Sequence, residues 1–145
     1  MNKYMIKALD EAKKAYKENN VPIGAIIVKN NQIIATAHNG SDALAHAEIL
    51  VIEKALDILG SRYLTNCELY STLEPCLMCS GALINSRIQK VFFGAYDSKS
   101  GCAGSITDVF ILPFNHKIEY YGGIMEDECK NLLTQYFKAR RVKND

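Results

Sequence analysis

Cys67-Glu68-Leu69-Tyr70-Ser71-Thr72-Leu73-Glu74-Pro75-Cys76-Leu77-Met78-Cys79 runs from a strand-like segment straight into a proline and a Cys-x-x-Cys pair. The stretch near Cys67–Thr72 reads as a strand, and Pro75 suits the first position of a helix, where its missing N–H would have been unpaired anyway. Cys76 and Cys79 are three apart, so on that helix they share one face and fall in the first turn. The helix dipole and the free N–H groups there favour the thiolate form that binds metal. A strand feeding such a helix is the unit of a layered α/β domain.

Upstream, His46-Ala47-Glu48 adds an imidazole and a carboxylate. His46, Cys76 and Cys79 make three ligands, and three protein ligands on a tetrahedral zinc leave one position for water, the mark of a catalytic rather than a structural site. Two thiolates cancel the formal charge of Zn²⁺, so such a site acidifies water less than a three-histidine site. A carboxylate beside the water, Glu48, is then needed to carry its proton. His46 and Glu48 are two apart, well over a right angle on an ideal helix, so they converge only if the metal sits at the helix start. Taken singly, the Cys-x-x-Cys also fits a redox pair or half of a structural zinc site. His-x-Glu alone also fits a surface helix start. A structural site would need a fourth ligand, for which His38, Cys67, Cys102, His116 and Cys129 are available.

The remaining composition fits a single domain over residues 1–145, long enough to bury around two-thirds of its unfolded surface. No basic segment followed by an apolar run suggests a signal peptide, and no stretch is long enough to cross a bilayer. Cys67, Cys102 and Cys129 read as reduced thiols, so a cytoplasmic location is expected. A formal charge of +1 argues against an indiscriminate nucleic-acid binder but leaves room for a local basic patch.

Along the chain, Met5, Ala8, Leu9, Ala12, Ala15 and Tyr16 recur at three and four, predicting an amphipathic helix whose lysines 3, 7, 13, 14 and 17 face solvent. Gly24–Lys29 and Gln32–Ala37 read as strands joined by a two-residue turn, Asn30-Asn31. A helix from about His46 stops at Gly60. After the Pro75 helix come a strand at Lys90–Gly94, a loop with Gly101 and Gly104, and a short helical piece near Ser105–Phe110. Lys117–Tyr121 is a last strand and Glu126–Arg141 a closing helix. Strands alternating with helices predict an α/β domain, its sheet mixed because the hairpin is antiparallel. Both ligand segments fall at helix starts.

The H-x-E…P-C-x-x-C pattern resembles that of the zinc-dependent nucleobase deaminases. Over most of its length the chain resembles the bacterial tRNA-specific adenosine deaminases, a branch of the cytidine/deoxycytidylate deaminase superfamily. The matching stretches include Val21-Pro22-Ile23-Gly24-Ala25, Ala45-His46-Ala47-Glu48, Leu69–Cys79 and Ser86-Arg87-Ile88. Phe93-Gly94-Ala95-Tyr96-Asp97-Ser98-Lys99 and the ending Phe137-Lys138-Ala139-Arg140-Arg141 resemble the tRNA branch more specifically.

The resemblance implies a cytidine-deaminase-like fold, a three-layer α/β/α arrangement with a mixed, roughly five-stranded sheet, usually as a homodimer. It implies one Zn²⁺ per subunit on His46, Cys76 and Cys79, with Glu48 as catalytic proton shuttle. Asn39 matches an asparagine that hydrogen-bonds the purine, the Ala47 N–H lies beside the reacting carbon, and Asp97 matches an acidic residue near a neighbouring ribose. Val21, Ile23 and Leu73 fit either an apolar base pocket or core packing. The implied activity is hydrolytic deamination of adenosine to inosine at the wobble position of a tRNA anticodon stem-loop, by zinc-activated water. A deaminase of a free base or nucleoside, guanine or cytosine, shares the zinc motif, and a non-catalytic zinc-stabilised binding module would leave Glu48 dispensable. Between Lys130 and Asp145 lie five basic residues and one acidic. Lys138, Arg140, Arg141 and Lys143 are among them, and Lys99 joins Arg140 and Arg141 as a tRNA-contact candidate. Cations at a helix C-terminus also suit its dipole without any ligand. The chain departs from the family at Asp42-Ala43-Leu44, where Asp-Pro-Thr is common, in a shorter loop before His46, at Asn20 and at Tyr96.

Overall fold

The computed structural model describes residues 2–144, with side chains described for residues 2–141; the side chain of Lys143 lies outside that range. Helix α1 spans Asn2–Lys17, strands β1 and β2 span Gly24–Lys29 and Gln32–His38, and α2 spans Ala47–Leu59. Then follow β3 (Cys67–Leu73), α3 (Leu77–Asn85), β4 (Lys90–Ala95), a 3₁₀ turn (Val109–Ile111), β5 (Glu119–Tyr121) and α4 (Glu126–Asn144). Met5, Ala8, Leu9, Ala12 and Ala15 are buried as the α1 periodicity predicts, and its five lysines are exposed. Asn30 and Asn31 both take positive φ, 52° and 62°, which a two-residue I′ hairpin turn requires. Gly60, at φ 58°, closes α2 in the left-handed conformation.

The sheet order is β2-β1-β3-β4-β5. β1 is antiparallel to both β2 and β3, whereas β3, β4 and β5 run parallel. Alternation along the strands separates two cores. Ala25, Ile27, Leu69, Val91 and Phe93 face α2 and α3, packing with Val51, Ala55 and Leu83. Ile26, Val28, Tyr70 and Phe92 face the other way and pack with Tyr4, Met5, Leu9 and Cys129 of α1 and α4. The result is a helix–sheet–helix sandwich, the predicted three layers with five mixed strands. Tyr70 and Phe92, neighbours across β3 and β4, stack with ring centroids 4.6 Å apart.

Beyond end shifts of one to three residues at β2, β4 and α4, three differences from the sequence reading stand out. Helix α3 begins at Leu77 with Cys76 as its N-cap, so Pro75 precedes the cap and is not the first helical residue. The helical piece expected near Ser105–Phe110 is a 3₁₀ turn at Val109–Ile111, because Asp108 caps it by accepting the Phe110 N–H. β5 is shorter than Lys117–Tyr121, its ladder to β4 starting at the Lys90 and Glu119 pair.

Gly24 fixes how closely α1 approaches the sheet. A Cβ there would stand 2.0 Å from the Ala8 carbonyl oxygen and 2.6 Å from the Ala12 nitrogen, both backbone atoms that move only with the helix. Gly24→Ala is therefore expected to lower stability by about 1–3 kcal/mol, read from the urea midpoint; an unchanged midpoint would contradict this packing.

Candidate active site

The site forms where α2 and α3 begin. His46 is the N-cap of α2 and Cys76 the N-cap of α3; both have extended backbones, and neither side chain makes a capping hydrogen bond. Their side chains turn instead toward one another. His46 Nδ1 lies 3.5 Å from Cys76 Sγ and 3.4 Å from Cys79 Sγ. Among the described residues these three make a cluster that could hold a metal ion, with all ligand atoms within 4.8 Å of one another. Zinc–nitrogen and zinc–sulfur bonds of about 2.0 and 2.3 Å at tetrahedral angles place N and S about 3.5 Å apart, so the donor set fits zinc without rearrangement.

None of the five possible fourth ligands joins that cluster among the described residues. His38 has its nitrogens 3.0 Å from Glu11 and 3.1 Å from Glu18. His116 Nε2 meets the Ile88 carbonyl, and the Cys67 and Cys102 thiols reach the Thr65 and Ser100 carbonyls. Cys129 is buried on the opposite face of the sheet, and its thiol would lie 2.3 Å from a Cβ at Gly94. The three-ligand arrangement leaves room for a fourth, non-protein ligand.

Ionisation in the cluster is coupled. A hydrogen bond from Cys79 holds the Cys76 thiol down to about 5 against the effect of burial, with help from His46. Its partner Cys79 is raised, first by that same hydrogen bond and then by burial. Metal takes both sulfurs as thiolates, so its binding would release any proton they hold. Glu48, in the first turn of α2, is 4% exposed, and burial pushes its carboxyl up to about 7, with the Cys76 charge adding to the rise. Its own backbone N–H and then the Cys79 thiol oppose that shift. His46 and Glu48, two apart in sequence, both sit at the start of α2 and line one cavity.

Asn39 follows β2 and is almost fully buried. Its Oδ1 accepts the Ala47 N–H at 2.7 Å, so the N–H expected to lie beside the reacting carbon is taken up by Asn39. That bond assigns the oxygen to the helix side and leaves the amide nitrogen as the donor of the pair.

A cavity of about 710 Å³ opens over the cluster. Asn39, His46, Glu48 and Cys76 line it together with Val21, Ile23 and Leu73. Asp97 and Lys99 line it from the segment after β4, and Asp97 Oδ1 accepts the Lys99 and Ser100 N–H groups, so one of its oxygens caps its own loop. A second cavity shares Lys99, Thr134 and Phe137 with the first and adds Arg140 and Arg141. The Arg140 guanidinium donates to Tyr136 Oη at 2.9 Å and lies over its ring, so much of its bonding is intramolecular. Sequence reasoning did not single out Leu133, Thr134 and Phe137 as lining residues. Their spacing of one, three and four along α4 places them on one helix face, a periodicity that was there to be read. Tyr96, noted only as a departure from the family, also lines the cavity, its ring edge-on to Phe93.

The chain matches the family model of MafB19-like deaminases over residues 1–141. It is 46% identical over 145 residues to the tRNA-specific adenosine deaminase of Bacillus subtilis, spanning 97% of this chain and 90% of that one. It is 47% identical over 146 residues to the tRNA-specific adenosine deaminase of Aquifex aeolicus, spanning 95% of each. A structure solved in work on A-to-I editing by tRNA:A34 deaminases is similar at a TM-score of 0.88 and 38% identity, covering 91% of this chain and 99% of that one. With this fold and this His–Cys–Cys cluster in place, the chain belongs to the MafB19-like deaminases by its family match and to the tRNA-specific adenosine deaminases by its relatives.

Proposed function

We propose that this protein deaminates adenosine to inosine at the wobble position of a tRNA anticodon, using one zinc ion held by His46, Cys76 and Cys79. The observation that carries this reading is a His46–Cys76–Cys79 cluster and a buried carboxylate, Glu48, at the wall of a cavity that adjoins a basic one. A free base would have no use for the second cavity, whereas the phosphates flanking a flipped anticodon base would meet Lys99 and Arg141 there.

Zinc bound at the triad supplies Lewis-acid activation of water. Glu48 takes one proton from the attacking water and hands it to N1 of adenine, then carries the remaining proton from the new C6 hydroxyl to the amino group, so that the C–N bond breaks, ammonia leaves and the C6 carbonyl forms. Asn39, oriented through the Ala47 N–H, turns its amide nitrogen toward the purine. Val21, Ile23 and Leu73 give the base an apolar wall, and Asp97 receives the ribose of a neighbouring nucleotide. Turning the base out of a loop costs less than from a duplex, since no pair is broken. The reaction belongs to the cytoplasm, and no helix among the described residues is long and apolar enough to cross a membrane. A homodimer completes the reading. Leu77 at the start of α3 and Ile106, Ile111, Leu112 and Phe114 around the adjoining 3₁₀ turn leave apolar side chains exposed that a second copy would cover. Sedimentation should then report twice the 16.2 kDa chain mass, and a monomer at micromolar concentration would reject the dimer.

Glu48→Gln preserves shape and loses the proton carrier. Its kcat on an anticodon stem-loop is expected to fall by about 10²–10⁴-fold with zinc content intact, inosine being read by sequencing. Full activity in that variant would reject the mechanism, and brisk turnover of free nucleosides with an untouched stem-loop would reject the substrate. Arg141→Ala is expected to reduce the salt dependence of tRNA binding by about one unit of slope, while Arg140→Ala, whose guanidinium bonds Tyr136, changes it less. Equal slopes in wild type and Arg141→Ala would remove Arg141 from the phosphate contacts.

A further inference from the structure

Glu74 immediately precedes the Pro75-Cys76 ligand segment, is 1% exposed, and does not touch the ligand cluster in any hydrogen bond. Its carboxylate instead gathers four donors, all from the segment that follows β4. Oε1 accepts the Asp97 N–H at 2.9 Å and the Ser105 hydroxyl at 2.5 Å. Oε2 accepts the Ala103 N–H at 2.9 Å and the Ser105 N–H at 3.1 Å. Four donors around one side chain match the acceptor-only chemistry of a carboxylate and of no neutral residue.

Between β4 and the 3₁₀ turn this segment makes no helix or strand, only an isolated bridge between Ala103 and Asp108. Its N–H groups therefore depend on partners outside regular structure, and Glu74 accepts from three of them. Two further contacts press the same segment onto the ligand strand. The Cys102 N–H donates to the Pro75 carbonyl at 2.9 Å. Gly101 passes so close that a Cβ there would stand 2.3 Å from Glu74 Cδ and 2.6 Å from the Asp97 carbonyl oxygen. The part of the segment thus anchored, Asp97 to Ser100, is a wall of the cavity that contains Glu48.

We infer that Glu74 is a positioning residue for substrate: by collecting the 97–105 backbone on one carboxylate, it locks the Asp97–Ser100 wall in register with the zinc-ligand segment. Because Glu74 and Cys76 are two residues apart in the short link between β3 and α3, the wall is set relative to the proposed metal site through a single short stretch of chain. Loss of the carboxylate frees three N–H groups, which seek water by moving outward. The wall then moves while the ligands and Glu48, carried by the two helices, stay. The expected signature is weaker substrate binding with the proton chemistry preserved, and it rests on the anticodon substrate proposed above.

The test compares Ser105→Ala, Glu74→Gln and Glu74→Ala with wild type on a synthetic anticodon stem-loop, with zinc content and hydrogen exchange of the 97–105 amides measured alongside. Ser105→Ala removes one bond; Gln keeps one acceptor oxygen and places a donor where a donor already points; Ala removes all four. KM is expected to rise in that order, reaching on the order of 10²-fold in the last, with kcat within about threefold and one zinc per chain. Loss of zinc, or a loss confined to kcat with KM unchanged, would overturn the inference, as would wild-type kinetics in Glu74→Gln. If Glu74→Ala does not fold, the other two variants still order the effect. If wild-type protein leaves the stem-loop untouched, the substrate reading fails by itself. Hydrogen exchange then decides the positioning role: faster exchange at Asp97, Ala103 and Ser105 in Glu74→Gln supports it, and unchanged protection overturns it.

Discussion

Two helices whose starts face one another, one capped by an imidazole residue and the other by a thiol residue, set the terms for the rest of the molecule. N-cap positions normally hold Ser, Thr, Asp or Asn, whose side chains bond the first free N–H groups. His46 and Cys76 occupy these positions and make no such bond. Leaving a helix start without its usual cap costs about 1 kcal/mol, and α2 recovers part of that by borrowing Asn39, eight residues away, to accept the Ala47 N–H. Stability is given up at both helix starts so that an imidazole and two thiols can face one another, and the same borrowed cap fixes the orientation of Asn39 at the cavity.

The sheet makes this convergence possible. β3 and β4 run parallel, so their C-terminal ends lie side by side. β3 delivers Glu74, Pro75 and the cysteines; β4 delivers Tyr96 to Ser100. Open α/β sheets bind ligands beyond the carboxyl ends of parallel strands, where departing chains splay apart and leave a crevice. Here the crevice is narrowed on one side by the ligand helices and on the other by α4, whose Leu133, Thr134 and Phe137 complete the wall.

Much of this was legible in the residues. The α1 stripe, the Asn30-Asn31 turn and the Gly60 stop each depend on local chemistry, and each is where the pattern put it. The meeting of His46, Cys76 and Cys79 in one cluster was legible because metal chemistry restricts both residue type and spacing. Other features depend on contacts that no local pattern encodes. Helix α3 stops with Arg87 at φ 64°, a position where glycine is the usual signal and none is present. The 97–105 segment owes its shape to a side chain some thirty residues away in sequence, Glu74, which in the sequence is merely the residue before a proline. The pairing of Arg140 with Tyr136 was hidden for the opposite reason: a basic helix end looks the same whether its cations face phosphate or their own fold.

The proposed metal site has three protein ligands and one position left over. X-ray absorption at the zinc edge of the purified protein measures that directly. The structure predicts two sulfur neighbours at about 2.3 Å and two nitrogen or oxygen neighbours at about 2.0 Å, one of them not from the protein. Three or four sulfur neighbours, or zinc that does not remain bound at one per chain, would contradict it.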